Sequence, residues 1–168
     1  MKILSTLPST LTSLEIYNAD SECLNKISKC KKVASLKALK LSDPEIPRNP
    51  YWEAIKKLLL KTPSLETLDF TNNLNVKYFV FPLIEKLINQ HNHVDTLILK
   101  NIGMTPELLA QLSFGLSTDY PEQPIFDMLR IPTIDFTENP LLTKKIIEEG
   151  IFKDSTILFP DLIEDRVE

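Results

Sequence analysis

Residues that could carry catalysis or bind a metal are few in this sequence and lie far apart. His91 and His93 form an H-x-H pair, but no cysteine or carboxylate cluster accompanies them, which indicates a solvated loop rather than a metal site. Cys23 and Cys30 lie far along the chain from both histidines, so a Cys–His nucleophile pair has little support. Three glycines cannot build a phosphate-binding loop, and no G-x-S-x-G motif occurs. We therefore expect no enzymatic activity, no metal and no cofactor.

The bulk composition limits the class of partner. The chain has 168 residues and a formal net charge of −4, whereas nucleic-acid and anionic-membrane binding favour a basic patch. The longest apolar runs, such as 79–84, are far shorter than the ~20 residues of a membrane span, and we find no signal peptide at the N-terminus. We expect one domain, a cytoplasmic monomer that binds neither nucleic acid nor membrane.

The two cysteines indicate a reducing compartment. If Cys23 and Cys30 share a helix, their separation of about 10 Å along its axis is too long for a disulfide. We expect two buried thiols on the helix face that also carries Leu24 and Ile27, which suits an intracellular protein.

A short apolar template recurs along the chain. It places apolar residues at its first, fourth and sixth positions, and it often places Asn at its ninth position. The copies lie at 11–19, 36–44, 65–73, 94–102 and 131–139, with a degenerate sixth copy at 154–162. Successive copies start 25, 29, 29, 37 and 23 residues apart. Self-similarity at a period in this range indicates a repeat architecture.

Two of the copies are near-twins. LETLDFTNN at 65–73 and IPTIDFTEN at 131–139 share five identical residues, among them the D-F-T stretch and the final Asn. We predict that the final residues, Asn73 and Asn139, satisfy backbone groups where the strand turns away, which is a scaffold role. An Asn ladder that binds a ligand is the alternative.

The segments between the copies are predicted to be helices, because apolar residues recur in them at helical spacing. Asn49 and Thr105 are the expected N-caps of two of these helices, and Pro50 and Pro106 the expected first helical residues. The predicted helices lie at 21–32, 49–62, 81–90, 105–115 and 140–150. Short strands that alternate with helices predict a parallel sheet covered by helices.

The template resembles the leucine-rich repeat, L-x-x-L-x-L-x-x-N/C, and a period near 28–29 resembles the ribonuclease-inhibitor-like class. The resemblance implies an α/β solenoid with a curved parallel sheet on the concave side, helices on the convex side and five to six repeats in a single domain, 1–168. The stretch LPSTLTSLEI at 7–16 also resembles a phrase of bacterial effector-type leucine-rich-repeat proteins. The ninth position departs from the family in most copies, where it holds Ala19, Pro44, Ile102 and Leu162.

Alternation along each strand separates two faces of the predicted sheet. The fourth and sixth residues of each copy, such as Leu68 and Phe70, are expected to point inward and to stack on the next repeat, so at least three repeats are needed. The third, fifth and seventh residues are expected to point to the concave surface, where solenoids usually bind their partners.

The residues expected on and beside the concave surface are predominantly acidic. Eight acidic side chains accompany three lysines there, whereas the whole chain has 23 acidic and 19 basic residues. Such a surface would attract a protein partner with a basic surface. The alternative is a solvated sheet without a partner, since β propensity alone predicts its row of threonines. The candidate contact residues are Glu15, Tyr17, Lys40, Glu66, Asp69, Thr71, Asp95, Ile98, Lys100, Asp135 and Thr137.

The longest spacing between copies locates an insert at 117–130. Insertions in repeat proteins form loops that often carry binding, which makes Tyr120 and Phe126 candidate partner contacts. The alternative is a longer connection whose apolar residues pack in the core.

These patterns predict a non-enzymatic module that binds a protein partner through the concave face, the insert, or both. The composition, rich in Lys, Ile and Asn, is typical of an AT-rich genome, which raises the hypothesis of a pathogen effector delivered into a host cytosol. The alternative hypothesis is a substrate-recognition fragment of a larger adaptor, such as a ubiquitin-ligase subunit.

Overall fold

Six short strands, one in each copy of the template, pair in chain order to form one parallel sheet. The computed structural model describes residue 8 and residues 10–42, 48–89, 94–109, 131–142 and 156–158. The strands are β1 (Ser13–Tyr17), β2 (Ala38–Ser42), β3 (Thr67–Asp69), β4 (Thr96–Ile98), β5 (Thr133–Asp135) and β6 (Thr156–Leu158). Each strand begins at the third residue of its copy, so the template predicted the strand positions correctly.

A repeated hydrogen-bond pattern sets the register at the start of the strands. The backbone N–H groups of Lys37 and Ala38 both donate to the carbonyl of Thr12, at 2.8 and 3.0 Å. The N–H groups of Glu66 and Thr67 donate in the same way to the carbonyl of Lys37, both at 2.8 Å. Because one carbonyl accepts from two successive N–H groups of the next copy, the first residues of these neighbouring strands are aligned.

The inward side chains form a continuous core on one side of the sheet, as the template predicted. In β1, at the edge of the sheet, Leu14 and Ile16 are only partly buried because the described sheet gives this strand a neighbour on one side. In the strands β2 to β5 and directly after them, the inward residues are at most 1% exposed, namely Leu39, Leu41, Leu68, Phe70, Leu97, Leu99, Ile134 and Phe136.

Helices contribute buried side chains to the same core. Helix α1 (Ser21–Ile27) begins at Asp20, whose carboxylate accepts a hydrogen bond from the backbone N–H of Cys23 at 2.6 Å. Helix α2 (Arg48–Leu59) and helix α3 (Val80–Asn89) follow β2 and β3. The residues that α2 and α3 bury are spaced at helical intervals, and they include Ala54, Ile55, Leu58, Leu59, Leu83 and Leu87.

A fourth helical segment at 106–109 follows β4. The side-chain oxygen of Thr105 accepts a hydrogen bond from the N–H of Leu108 at 3.3 Å, so the predicted N-cap is confirmed. Short 3₁₀ turns at Lys31–Ser35 and Val76–Tyr78 complete the connections that are described. Within the ranges given above, no helix has both the length and the apolar character to cross a membrane.

The boundaries of α1 and α2 differ from the prediction in ways that change the expected role of a residue. Helix α1 ends at Ile27, so Cys23 and Cys30 do not share a helix. Neither cysteine is in a disulfide, and both are half-buried rather than buried. Partial burial raises the pKa of the Cys23 thiol. Helix α2 begins at Arg48, so Asn49 lies inside the first turn and is not its N-cap. The predicted helix at 140–150 falls mostly outside the described residues.

The ninth residue of the second twin, Asn139, ties its copy to the copy before it. The side-chain nitrogen donates to the carbonyl of Leu99 and to that of Phe136, both at 2.8 Å. The side-chain oxygen accepts from the N–H groups of Ile102 and Met104, both at 3.1 Å. Asn139 is fully buried, and its amide satisfies backbone groups that would otherwise be unpaired there. The predicted scaffold role is therefore confirmed for this residue.

The corresponding residue of the first twin, Asn73, is equally buried but makes fewer bonds. The side-chain nitrogen donates to the carbonyl of Leu41 at 3.1 Å and to the hydroxyl of Tyr51 at 3.3 Å. The Oδ1 atom is buried without a partner in the described part of the chain. The N–H of Ile102 donates to the equivalent oxygen of Asn139. In the copy that precedes Asn73, the same template position holds Pro44, and proline has no N–H to donate. Burial raises the pKa of the Tyr51 hydroxyl to about 12, so this group stays neutral at pH 7.

The eighth residue of four copies adopts a left-handed backbone conformation, which turns the chain away from the sheet. Its φ angle is 49° at Asn18, 63° at Asn72, 46° at Asn101 and 62° at Glu138. Asparagine tolerates this region better than other residues with a β-carbon, which explains its recurrence here. The side chain of Asn101 donates to that of Asn72 at 2.8 Å, so this row also links two neighbouring copies.

The two asparagines provide a matched test of the scaffold role. We expect Asn139→Ala to lower the free energy of unfolding by about 2–4 kcal/mol, because two N–H groups and two carbonyls lose the hydrogen bonds of this buried side chain. Asn73→Ala removes two bonds and an unpaired oxygen, so the expected loss is about 1–2 kcal/mol. Urea unfolding of both variants measures the difference. An equal or larger loss for Asn73→Ala would contradict this assignment.

Candidate functional site

The outward face is the side of the sheet opposite the core, formed by the third, fifth and seventh residues of the copies. Its central row consists of the fifth residues, which lie directly across from one another in the strand register. These residues are Glu15, Lys40, Asp69, Ile98 and Asp135. The sequence pattern predicted this row, and the register confirms that its members are neighbours.

Three lysines on or beside the outward face each bind a carboxylate from a neighbouring copy. The Nζ atom of Lys40 lies 2.7 Å from Glu15, and the Nζ atom of Lys37 lies 2.6 Å from Glu66. The third pair joins Lys100 to Asp135 at 3.2 Å. The acidic excess inferred from the sequence is therefore partly neutralised, and the face is a mosaic of ion pairs rather than a uniform acidic surface.

The N-terminal part of the outward face carries an exposed aromatic ring. Tyr17 is 63% exposed, and its hydroxyl donates a hydrogen bond to Glu15. The Nζ atom of Lys40 lies 6.0 Å from the centre of the Tyr17 ring, at the limit of a cation–π interaction. Hydrogen bonds from Lys40 and Tyr17 lower the pKa of the Glu15 carboxyl, and the bond to Glu15 raises the pKa of Lys40. Large exposed aromatic side chains are common anchors in protein interfaces.

The D-F-T stretch of the twins folds into the same local structure in both copies. One carboxylate oxygen of Asp69 accepts from the backbone N–H of Thr71 at 2.7 Å and from its hydroxyl at 2.6 Å. The same oxygen of Asp135 accepts from the N–H and hydroxyl of Thr137, at 2.9 and 2.7 Å. These bonds cap the end of each strand, so the aspartates and threonines have a structural role in addition to any contact with a partner.

The two aspartates differ in accessibility. Asp69 is half-buried, whereas Asp135 is 6% exposed and its carboxylate pairs with Lys100. Asp135 was expected to be a surface contact, and its burial corrects that expectation. Its carboxylate is paired within the sheet, with the N–H and hydroxyl of Thr137 on one oxygen and the Nζ atom of Lys100 on the other.

The other predicted contact residues lie where the template placed them, with different exposures. Asp95 is exposed at the start of β4, and Glu66 is half-buried at the start of β3. Ile98 is half-buried in the central row, and Thr71 and Thr137 are half-buried beside their aspartates. The insert at 117–130, with Tyr120 and Phe126, lies outside the described residues, and so do His91 and His93.

Sequence reasoning missed the ion pairs and the left-handed row. The ion pairs depend on the register between strands, which single copies do not reveal. The left-handed row had a signal, since Asn18, Asn72 and Asn101 share the eighth position of the template. The D-x-T spacing was likewise visible in the twins, and it is typical of a side chain that bonds its own backbone two residues on.

Neither a metal site nor a comparison with known proteins assigns a function to the outward face. Among the described residues, no group of three or more His, Cys, Asp or Glu side chains could hold a metal ion. A scan against protein-family models found no match, and a search of curated proteins found no similar sequence. The geometry of the outward face therefore has to support a functional proposal by itself.

The twin aspartates provide a test of this geometry. We expect Asp135→Ala to lower the free energy of unfolding by about 2–3 kcal/mol, because it removes two hydrogen bonds of a buried carboxylate and leaves Lys100 without its partner. Asp69→Ala removes the same two bonds at a half-exposed position, and we expect a loss of about 1 kcal/mol. Thermal unfolding of both variants measures the difference, and equal losses would contradict the structural role of the Lys100 pair.

Proposed function

We propose that this protein is a leucine-rich-repeat module that binds a protein partner through the outward face, which forms the concave side of a short solenoid. Copies that repeat every 23 to 37 residues and contribute one parallel strand each, in chain order, support the solenoid. The bridging bonds of Asn139 support the leucine-rich-repeat class, because they join the copies at the Asn position of that template.

The contrast between the two sides of the sheet is the observation that carries the binding role. The inward positions repeat one chemical type, since Leu39, Leu68, Leu97 and Ile134 stack in register. In the outward central row, the chemical type of the side chain changes from each strand to the next. The row runs from the carboxylate of Glu15 through Lys40 and Asp69 to the apolar Ile98. A stacked scaffold with a varied surface is the usual basis of recognition in repeat proteins.

The outward face has the features of an interface centre near β1 to β3. Tyr17 offers a large exposed ring, and the adjacent Lys40 and Asp69 offer charges of both signs. Such a combination suits a partner of mixed polar and apolar character better than a uniformly basic one. The partner therefore recognises the pattern of the row, and net attraction adds to the association rate.

A pathogen effector acting in a host cytosol and the recognition part of a larger adaptor are two settings in which this module would work. Both roles need a protein-binding outward face, so binding by this face is tested first. The identity of the partner then distinguishes the effector from the adaptor.

Affinity capture with matched variants tests the binding role. We expect the double variant Tyr17→Ala/Asp69→Lys to lose at least 90% of a partner that the wild-type chain recovers, because both groups lie on the outward face. The control is Leu60→Ala/Glu53→Lys, which changes an exposed leucine and an exposed carboxylate in or beside α2 by the same chemistry and charge. Recovery that persists in the outward-face variant, with circular dichroism unchanged, would refute the proposal.

A further inference from the structure

Lysines are concentrated in two stretches of the chain that contain no acidic residue. The first stretch, 23–37, holds five lysines, and the second, 54–65, holds three. None of the 23 acidic residues lies in either stretch. Both stretches are therefore strongly basic, although the chain as a whole has a formal net charge of −4.

The fold places the two stretches side by side. The first contains the end of α1 and the chain that leads to β2, and the second contains the end of α2 and the chain that leads to β3. Helix α1 packs against α2, and β2 pairs with β3. Lys32 and Lys61 each precede the start of a copy by four residues, so they hold equivalent places in neighbouring repeats.

Four exposed lysines of these stretches keep their charge without an ion pair. Lys26, Lys37 and Lys56 each bind a glutamate. In the described part of the chain, no carboxylate pairs with the four exposed lysines, which are Lys29, Lys31, Lys57 and Lys61. We call these four side chains the basic edge.

The segments that correspond to the basic edge in the adjacent repeats contain no acidic residue either. Residues 1–14 lead to β1 on one side, and residues 86–94 lead to β4 on the other. Each repeat of a solenoid contacts only its neighbours, so these two segments are the ones next to the basic edge in the repeat order. The positive charge of the edge is therefore not balanced by the repeats beside it.

An exposed leucine lies beside the basic edge. Leu60 is 56% exposed and directly follows the last residue of α2, between Lys57 and Lys61. Lysines around an exposed alkyl side chain suit a lipid surface, because anionic headgroups attract ammonium groups at long range and the acyl boundary accepts the leucine.

The composition of the two stretches favours a lipid surface over other anionic partners. Neither stretch contains an arginine or an aromatic residue, the side chains with which proteins usually recognise nucleic acids. Lysine is also depleted from protein–protein interfaces. An ammonium group attracted to a membrane surface, by contrast, stays hydrated and needs no fixed geometry.

We infer that the basic edge binds the surface of an anionic membrane reversibly. The expectation of no membrane binding came from the net charge of the whole chain, which does not show this separation of charge. Membrane binding is separate from the proposed partner recognition, because the helices cover the inward side of the sheet. A chain held by its helix ends leaves the outward face, with Tyr17 and Lys40, free to contact a protein partner.

Co-sedimentation of the full chain with phospholipid vesicles tests the inference. Vesicles of phosphatidylcholine with about one-third phosphatidylserine should bind the chain at roughly 0.05 M salt, whereas vesicles of phosphatidylcholine alone should not. Raising the salt to roughly 0.5 M should release the chain, because salt screens exposed charges. Equal binding to both kinds of vesicle, or binding that survives the higher salt, would overturn the inference.

Matched lysine variants locate the contact. Lys57→Ala/Lys61→Ala should lower the vesicle partition coefficient about 25-fold, since each lysine near an anionic surface contributes about fivefold. Lys77→Ala/Lys145→Ala removes the same charge outside the two stretches, and we expect a loss of less than about threefold. Equal losses in the two variants would overturn the inference.

A second pair of variants and a competitor complete the test. Lys29→Ala/Lys31→Ala changes the end of the other helix and should also lower the partition coefficient about 25-fold, so the result does not depend on one variant that folds poorly. Circular dichroism checks the fold of each variant. A DNA duplex that binds the chain more tightly than the anionic vesicles do would replace the membrane by nucleic acid and overturn the inference.

Discussion

The structure depends on one constraint: no single copy of the template can bury its own apolar residues. Each strand is three to five residues long, and each inward leucine, isoleucine or phenylalanine is covered by the equivalent residue of the next copy. Burial of this kind is the main favourable term in folding, at about 25 cal/mol per Å² of apolar surface. The edge strand β1 shows the consequence, because Leu14 and Ile16 have a strand on one side only in the described sheet and remain partly exposed.

Polar groups adapt to this stacking and also hold it in register. Asn139 satisfies backbone groups of the copy before it, and the carbonyls of Thr12 and Lys37 each accept two N–H groups of the next copy. The buried oxygen of Asn73 has no partner in the described part of the chain, and in the template a proline, which has no N–H, stands where Ile102 donates to Asn139. The inward apolar residues and the final asparagine of the two near-twin copies are therefore repeated because stacking requires them.

Much of the fold followed from the sequence because period and alternation are local properties. The strand positions, the inward rows and the Thr105 cap were predicted from spacing alone. The ion pair of Asp135 could not be predicted, because its partner Lys100 lies 35 positions earlier and reaches the carboxylate only through the register. The half-buried cysteines and the early start of α2 were also missed, since helix ends depend on turns that propensity does not specify. On the outward face, stacking limits residue choice less, and this is the face that we propose for recognition.

The central claim is that neighbouring residues of one strand have separate roles, inward for stacking and outward for recognition. Leu97 and Ile98 of β4 test it most directly, because they are adjacent, similar in size and on opposite faces. Urea unfolding should show that Leu97→Ala costs about 2–5 kcal/mol, as a buried leucine does, and that Ile98→Ala costs about 1 kcal/mol or less. Equal losses for the two variants would contradict the division of the sheet into a scaffold face and a recognition face.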